Sequence, residues 1–298
     1  MQIETFSQGL SRLIDETASF EPIAIGFVFT EGPVWSQKES CLYFSDIPSG
    51  RIHRWSPSDG VTVYRDPSFK ANGLTLDREG RLISCEHVGR RVSRQEADGT
   101  LTALAKDYDG GRLNSPNDVV VASDGSIYFT DPDSGITHPR SGVLAPREQP
   151  VNGVYRISPQ GDLTRVADDF EHPNGLAFSP DEKTLYVDDT RLKHIRAFDV
   201  LADGALGDGR VFAALEGDEA GAVDGMKVDV EGNVYCTGPG GIHIFDAAGV
   251  KLGRLKIPPA GPSNVGWGGA DWRTLYVTWR EAVCSIRMKV PGIPVGPE

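Results

Sequence analysis

One polar position recurs through this chain at the same phase of an internal repeat. Glu31, Asn72, Asn117, Asn174, Asp224 and Asn264 follow one another at intervals of 41, 45, 57, 50 and 40 residues. Eight residues beyond each lies a turn segment, at Glu39, Gly80, Gly125, Glu182, Gly232 and Trp272. Ten or eleven beyond stands an apolar residue that opens a strand-like run, at Leu42, Leu82, Ile127, Leu185, Val234 and Leu275. A repeat of this length, with several short strands per unit, predicts a β-propeller, and six repeats predict six blades. The innermost strand of each blade lines the central channel, so residues at one phase of it form a ring. Here the ring holds two carboxylates and four amides, the donor chemistry of a hard divalent cation.

Each repeat reads as four strands joined by turns. In the third, Val119–Val121, Ile127–Thr130, Val154–Ile157 and Leu163–Val166 are the expected strands, innermost first. Tyr43, Tyr128, Tyr186, Tyr235 and Tyr276 fall in second strands and are expected to pack blade against blade. The last repeat lacks a fourth strand, while Glu21–Phe29 has no blade of its own. The N-terminal segment is therefore expected to close the ring as the outer strand of the last blade, covering an otherwise open edge. Residues 1–20 read as an N-terminal arm or short helix, and residues 1–298 as a single all-β domain.

Composition limits the partners. The net charge is −12, and no basic run suited to a phosphate backbone is present. Nucleic acid and anionic membrane are therefore not expected as partners. Cys41, Cys85, Cys236 and Cys284 lack metal-ligand spacing and read as reduced core residues. The first residues form neither a signal peptide nor a membrane span, which gives a cytoplasmic expectation.

Strand direction places the chemistry. First strands run away from the ring and second strands return, so Asp46, Glu86, His87, Asp131, Asp188 and Asp189 lie at the same mouth as the ring. The long connection from Asp131 to Asn152 is expected to cover part of that mouth as a lid. His87, on a mouth loop, is a candidate for substrate contact or proton transfer. No G-x-S-x-G elbow, P-loop or dinucleotide fingerprint is present, which favours metal-assisted hydrolysis over serine or phosphoryl chemistry.

Motifs at the ring carry a family resemblance: Glu31-Gly32-Pro33-Val34-Trp35, Ser115-Pro116-Asn117-Asp118, Pro173-Asn174-Gly175-Leu176, Asp224-Gly225-Met226 and Asn264–Gly269. In this order and spacing they resemble the senescence-marker-protein/gluconolactonase/luciferin-regenerating-enzyme family of six-bladed calcium-dependent propellers. The resemblance implies that Glu31, Asn174 and Asp224 bind one divalent cation, Ca²⁺ foremost, with Zn²⁺, Mn²⁺, Mg²⁺ and Fe²⁺ as alternatives. Asn117 is then a fourth ligand or a substrate contact. It also implies that Arg112 and Asn114 meet the hydroxyls of a sugar lactone such as glucono-1,5-lactone. Asp224 is the catalytic candidate, as base, water orienter or nucleophile. Pairing of Arg112 with Asp107 or Asp109 is the structural alternative for that side chain. An organophosphate or ester hydrolase of the diisopropylfluorophosphatase type, and a non-catalytic ligand-binding propeller, are the competing functions.

Overall fold

The computed structural model describes residues 2–257 and 261–297. Six antiparallel blades succeed one another along the chain. Thr30–Ser36, Cys41–Asp46, Arg51–Ser56 and Gly60–Arg65 form the first. The second runs Ala71–Leu76, Leu82–Glu86, Arg91–Gln95 and Leu101–Ala105. The third is Val119–Val121, Ile127–Asp131, Asn152–Ile157 and Leu163–Phe170, each strand as expected or longer by a few residues. Pro173–Phe178, Thr184–Asp189, His194–Asp199 and Arg210–Ala214 form the fourth. The fifth is Met226–Val228, Val234–Gly238, Gly241–Phe245 and Lys251–Lys256. Within each blade, strands adjacent in sequence pair in space, which closes the shortest loops.

The sixth blade has three strands of its own, Asn264–Gly268, Thr274–Trp279 and Ala282–Arg287. Its fourth is Glu21–Ile25, paired antiparallel from Glu21 opposite Ser285 to Ile25 opposite Ala282. The two ends of the chain thus meet in one sheet, and the expected closure is realised. Pro22 is tolerated there because an outer strand has no further neighbour to receive its missing N–H.

The N-terminal arm is more ordered than its sequence suggested. Gln2–Thr5 adds a fifth strand to blade five, against Lys251–Lys256. Glu4 makes ion pairs with Arg254 at 2.7 Å and Lys256 at 3.2 Å. The helical turn Leu10–Leu13 buries both its leucines beside Leu252 and Leu255. A four-residue strand carries too little periodicity to be read in isolation.

Apolar clusters fill the wedges between blades. Ile83 and Cys85 of blade two meet Val119 and Phe129 of blade three, and Val154 of blade three meets Leu176 of blade four. All five second-strand tyrosines are buried, as expected. The four cysteines are buried and free. Among the described residues no helix is long and apolar enough to cross a membrane.

Ring closure generates a graded prediction. Removing residues 1–6 should lower Tm but leave a folded ring, because blade five keeps its four strands. Removing residues 1–26 should also bare the backbone edge of Ala282–Arg287 and cause loss of cooperative unfolding or aggregation. Thermal melts with light scattering distinguish them; equal behaviour of the two truncations would contradict the assigned closure.

Candidate active site

The six polar residues form a ring because their backbones are joined across blades. Gly73 N donates to Asn117 O, Gly175 N to Asp224 O and Gly225 N to Ser263 O, each at 2.8 Å. Hydroxyls on second strands add a second tie. Ser45 Oγ donates to Asn72 O at 2.8 Å and Thr130 Oγ1 to Asn174 O at 2.7 Å, each reaching the next blade. Ser263 Oγ donates to Thr30 O at 2.8 Å, linking the last blade to the first. Such close passage needs glycine: a Cβ on Gly32, at φ +55°, would lie 2.3 Å from Asn72 O.

Glu31 is 2% exposed. Its Oε2 accepts from Asn264 Nδ2 at 2.8 Å and from Gly32 N at 2.7 Å. Glu31 Oε1, Asn72 Oδ1 and Asp118 Oδ2 are buried without a hydrogen-bond partner from the protein. Burial raises the proton affinity of Glu31 well above the carboxylate range, and the nearby charges of Asp224 and Asp118 add to this. Burial, then the charge of Asp118, raises Asp224 to about 7, while a hydrogen bond with Asn174 opposes the shift. Asp188 is likewise raised by burial, then by Asp224 and Asp118. Four acids therefore share the axis. Lys227 Nζ, 3.6 Å from Asp118 Oδ2, is a neighbouring cation.

This arrangement fits a cation. Among the described residues no three His, Cys, Asp or Glu side chains form a metal cluster. The donor set is instead two ring carboxylates with amide oxygens, and its unpartnered buried acceptors and crowded negative charge suit a hard ion. Asn174 Nδ2 donates to Thr190 Oγ1 at 3.1 Å, which leaves its amide oxygen as the free donor atom. Asn117 is buried at the same level of the channel, its N–H bonded to Thr130 O at 2.8 Å.

The expected substrate contacts separate in space. Arg112 is exposed; its Nη2 donates to Gly89 O at 2.9 Å, and its own N–H donates to Glu148 Oε2 at 3.1 Å. Its backbone pairs with Asp107, but no ion pair joins it to Asp107 or Asp109 among the described residues. Asn114 is wholly buried, and its Nδ2 donates to Val151 O at 3.0 Å and Asp131 O at 3.3 Å. His87 is also buried, between Ser141 O at 3.0 Å from Nδ1 and Asn72 Nδ2 at 3.3 Å from Nε2. Burial pushes His87 down to about 4, so it is neutral. Both side chains tie the mouth together through their nitrogens, while Asn114 Oδ1 is buried without a hydrogen-bond partner.

Sequence reasoning missed Asp118, Asp188 and Lys227 as members of the axis. Asp118 stood in the quoted Ser-Pro-Asn-Asp motif, and Asp188 in the acid pair ending a second strand. It also missed what the other mouth acids do. Asp131 accepts from Asn114 N and Ser115 N, both at 2.8 Å, and Asp189 from Glu171 N and His172 N at 2.8 and 3.1 Å. Each clamps the loop leading into the inner strand of its own blade. The long connection carries a helical turn, Ser134–Thr137, and is pinned by Lys70 to Pro139 O and Arg140 O, both at 3.0 Å.

A six-bladed propeller with an acid–amide ring on its axis is the class that fold and site define. Residues 29–280 match the family described as the SMP-30/Gluconolactonase/LRE-like region, and the chain belongs to that family. It is 32% identical to a gluconolactonase of Zymomonas mobilis, over 98% of this chain and 87% of that one. It is 29% identical to the pentonolactonase XacC of Haloferax volcanii, over 83% and 80% of the two chains. A solved gluconolactonase of Xanthomonas campestris superposes with a TM-score of 0.89 at 36% identity, covering 97% of this chain and 95% of that one.

The shifted acids predict a pH dependence. Asp131, raised by burial to about 7, joins Asp224 in binding its proton more tightly when folded. A raised carboxyl stabilises the fold at low pH, and that contribution is lost as pH rises from the unfolded value, about 4, through the folded one. Buried His87, pushed down to about 4, acts in the opposite sense below the unfolded histidine value of about 6.5, so the acids dominate above it. The chelated protein should therefore melt lower at pH 8 than at about pH 6.5, and a divalent cation should restore much of the loss at pH 8. Differential scanning calorimetry checks this; a chelated Tm that rises over that range would contradict it.

Proposed function

We propose that this chain hydrolyses a sugar lactone, of the glucono-1,5-lactone class, to the open aldonic acid at the acid–amide end of the channel. Its lactonase relatives support lactone hydrolysis as the reaction. The observation that carries the site is the group of buried, unpartnered oxygens on Glu31, Asn72 and Asp118 at the axis. Glu31, Asn174 and Asp224 would hold one divalent cation, Ca²⁺ by its all-oxygen preference, with Asn117 as ligand or substrate contact. When bound, the ion supplies Lewis-acid polarisation of the lactone carbonyl.

The chain's own residues do the rest. Water adds to the carbonyl carbon, the ring C–O bond breaks, and one proton must pass from the water to the departing ring oxygen. Asp224, its proton affinity raised by burial and by the charge of Asp118, would take and return that proton. Arg112 has guanidinium N–H groups beyond the one held by Gly89 O, and these suit ring and hydroxyl oxygens. The pinned connection over the mouth limits water access. The reduced cysteines and acidic balance suit a cytoplasmic enzyme.

Lactone opening followed with a pH indicator, against an enzyme-free control, tests the reading. Chelation should abolish the enzymatic rate and metal readdition restore it. Asp224→Ala should lower kcat at least about a hundredfold and weaken metal binding in a calorimetric titration. Near-normal rates in that variant would refute the assigned role.

Arg112→Ala should act differently. It should lower kcat/KM roughly tenfold, the effect of about 1–2 kcal/mol of lost hydrogen bonding, while leaving metal affinity unchanged. Unaltered kinetics with a lowered Tm would instead assign Arg112 to its loop.

A further inference from the structure

We propose that the far half of the channel is a second ligand site, which takes a small, uncharged, apolar molecule bearing one hydrogen-bond acceptor. A cavity of about 420 Å³ lies there. Its wall begins two or three residues downstream of each ring position, at Pro33, Leu74, Val119, Ala177, Lys227 and Gly266. At about 3.3 Å per residue, that is roughly 7–10 Å from the ring along the strands. No ring residue lines it. The volume is within the common range of ligand sites, about 300–1,000 Å³, and far above what a single water needs.

The outer end is bordered by the chain's own C-terminal segment. Gly292 N donates to Trp272 O at 2.8 Å and Ile293 N to Val228 O at 3.4 Å, fixing the segment to blades six and five. Val295 then packs on the core shared by blades one and two, on the other side of the axis. Ile293–Pro297 thereby becomes cavity wall.

Chemistry at the wall selects the ligand. Valine, leucine, proline and tryptophan side chains supply most of the surface, including the partly exposed Val120 and Val121. The two cations are balanced, Lys227 by Asp118 and Arg78 by Glu182, each at 3.6 Å. Asp181 and Glu182 line the cavity alongside Lys227 and Arg78, so the wall carries both signs of charge and an uncharged ligand is favoured. Lys227 Nζ donates one hydrogen bond, to Met226 O at 2.9 Å. An ammonium has three N–H groups, so a donor remains for a ketone, ether or hydroxyl oxygen. A polyhydroxylated lactone is the wrong ligand for such walls, which separates this site from the reaction at the mouth.

Prodan, a neutral naphthyl ketone whose emission reports polarity, is the test probe, used with the full-length metal-loaded protein. The expected result is saturable binding of one molecule per chain, with blue-shifted emission and energy transfer from tryptophan. Val120→Trp and Ile293→Trp, on different elements, each fill the cavity and should weaken binding at least roughly tenfold, as loss of apolar burial requires. Lactone hydrolysis should stay within about twofold of wild type in both, because neither touches the mouth. Lys227→Met should move the bound emission further to the blue by removing the donor to the ketone; this readout decides if either filling variant melts abnormally. Asp224→Ala should bind prodan like wild type. Absence of saturable binding, unweakened binding in both filling variants with normal melts, or loss of binding in Asp224→Ala would overturn the proposal.

Discussion

Close approach of neighbouring backbones at the channel axis is the constraint on which this structure depends. Inner strands bond to one another there, through Gly73, Gly175 and Gly225, before their blades diverge. A Cβ on any of these three would fall within 2.5 Å of an atom of the next strand. The missing side chain does more than avoid a clash. The carboxylate Oδ1 of Asp118 lies 2.6 Å from where the Cβ of Gly73 would be, so glycine on one strand makes room for an acid on the next. Backbone geometry and axial chemistry are therefore one design: the contacts that align the blades also decide which side chains crowd the axis.

That crowding is unfavourable by itself. Glu31, Asp188 and Asp224 all have raised proton affinities, caused first by burial and then by neighbouring acids. Apolar residues at these places would stabilise the fold better, so the acids are best understood as serving a ligand. The divalent cation proposed above would, with the Lys227 ammonium, offset three carboxylates. It would leave the fourth to be neutralised by protonation, for which Asp188 is the most enclosed candidate: wholly buried, it receives one backbone N–H, from Gly175 at 3.3 Å.

Much of this was legible in the sequence because it rests on periodicity. The polar phase from Glu31 to Asn264 fixed blade number, and the strand missing from the last repeat matched the spare segment at Glu21. The Ser-Pro-Asn-Asp and Pro-Asn-Gly-Leu motifs carried the family. What stayed hidden depends on where a side chain points at a junction of blades. Asp118 and Asn117 are adjacent in sequence, yet only the path of the neighbouring strand shows that both reach the axis. Asn114 looked like a mouth residue, but Asp131, Val151 and Asn152 surround its amide and draw it inward. Gln2–Thr5 was too short to display alternation.

The mouth and the ring are coupled by one neutral histidine. His87 must carry its proton on Nδ1, because the partner there is the Ser141 carbonyl, 3.0 Å away. Its Nε2 is then an acceptor, which requires the amide nitrogen of Asn72 to face it and leaves the Asn72 oxygen as the free end. Ser141 belongs to the long connection over the mouth, and Gly135 of the same segment packs so tightly on His87 that a Cβ would lie 2.7 Å from the histidine Cβ. The connection that shapes the approach to the site therefore also sets the orientation of a ring amide, through a tautomer that burial protects from protonation. A change in that loop alters more than access, because the same contact decides whether Asn72 offers an oxygen or an N–H to the axis.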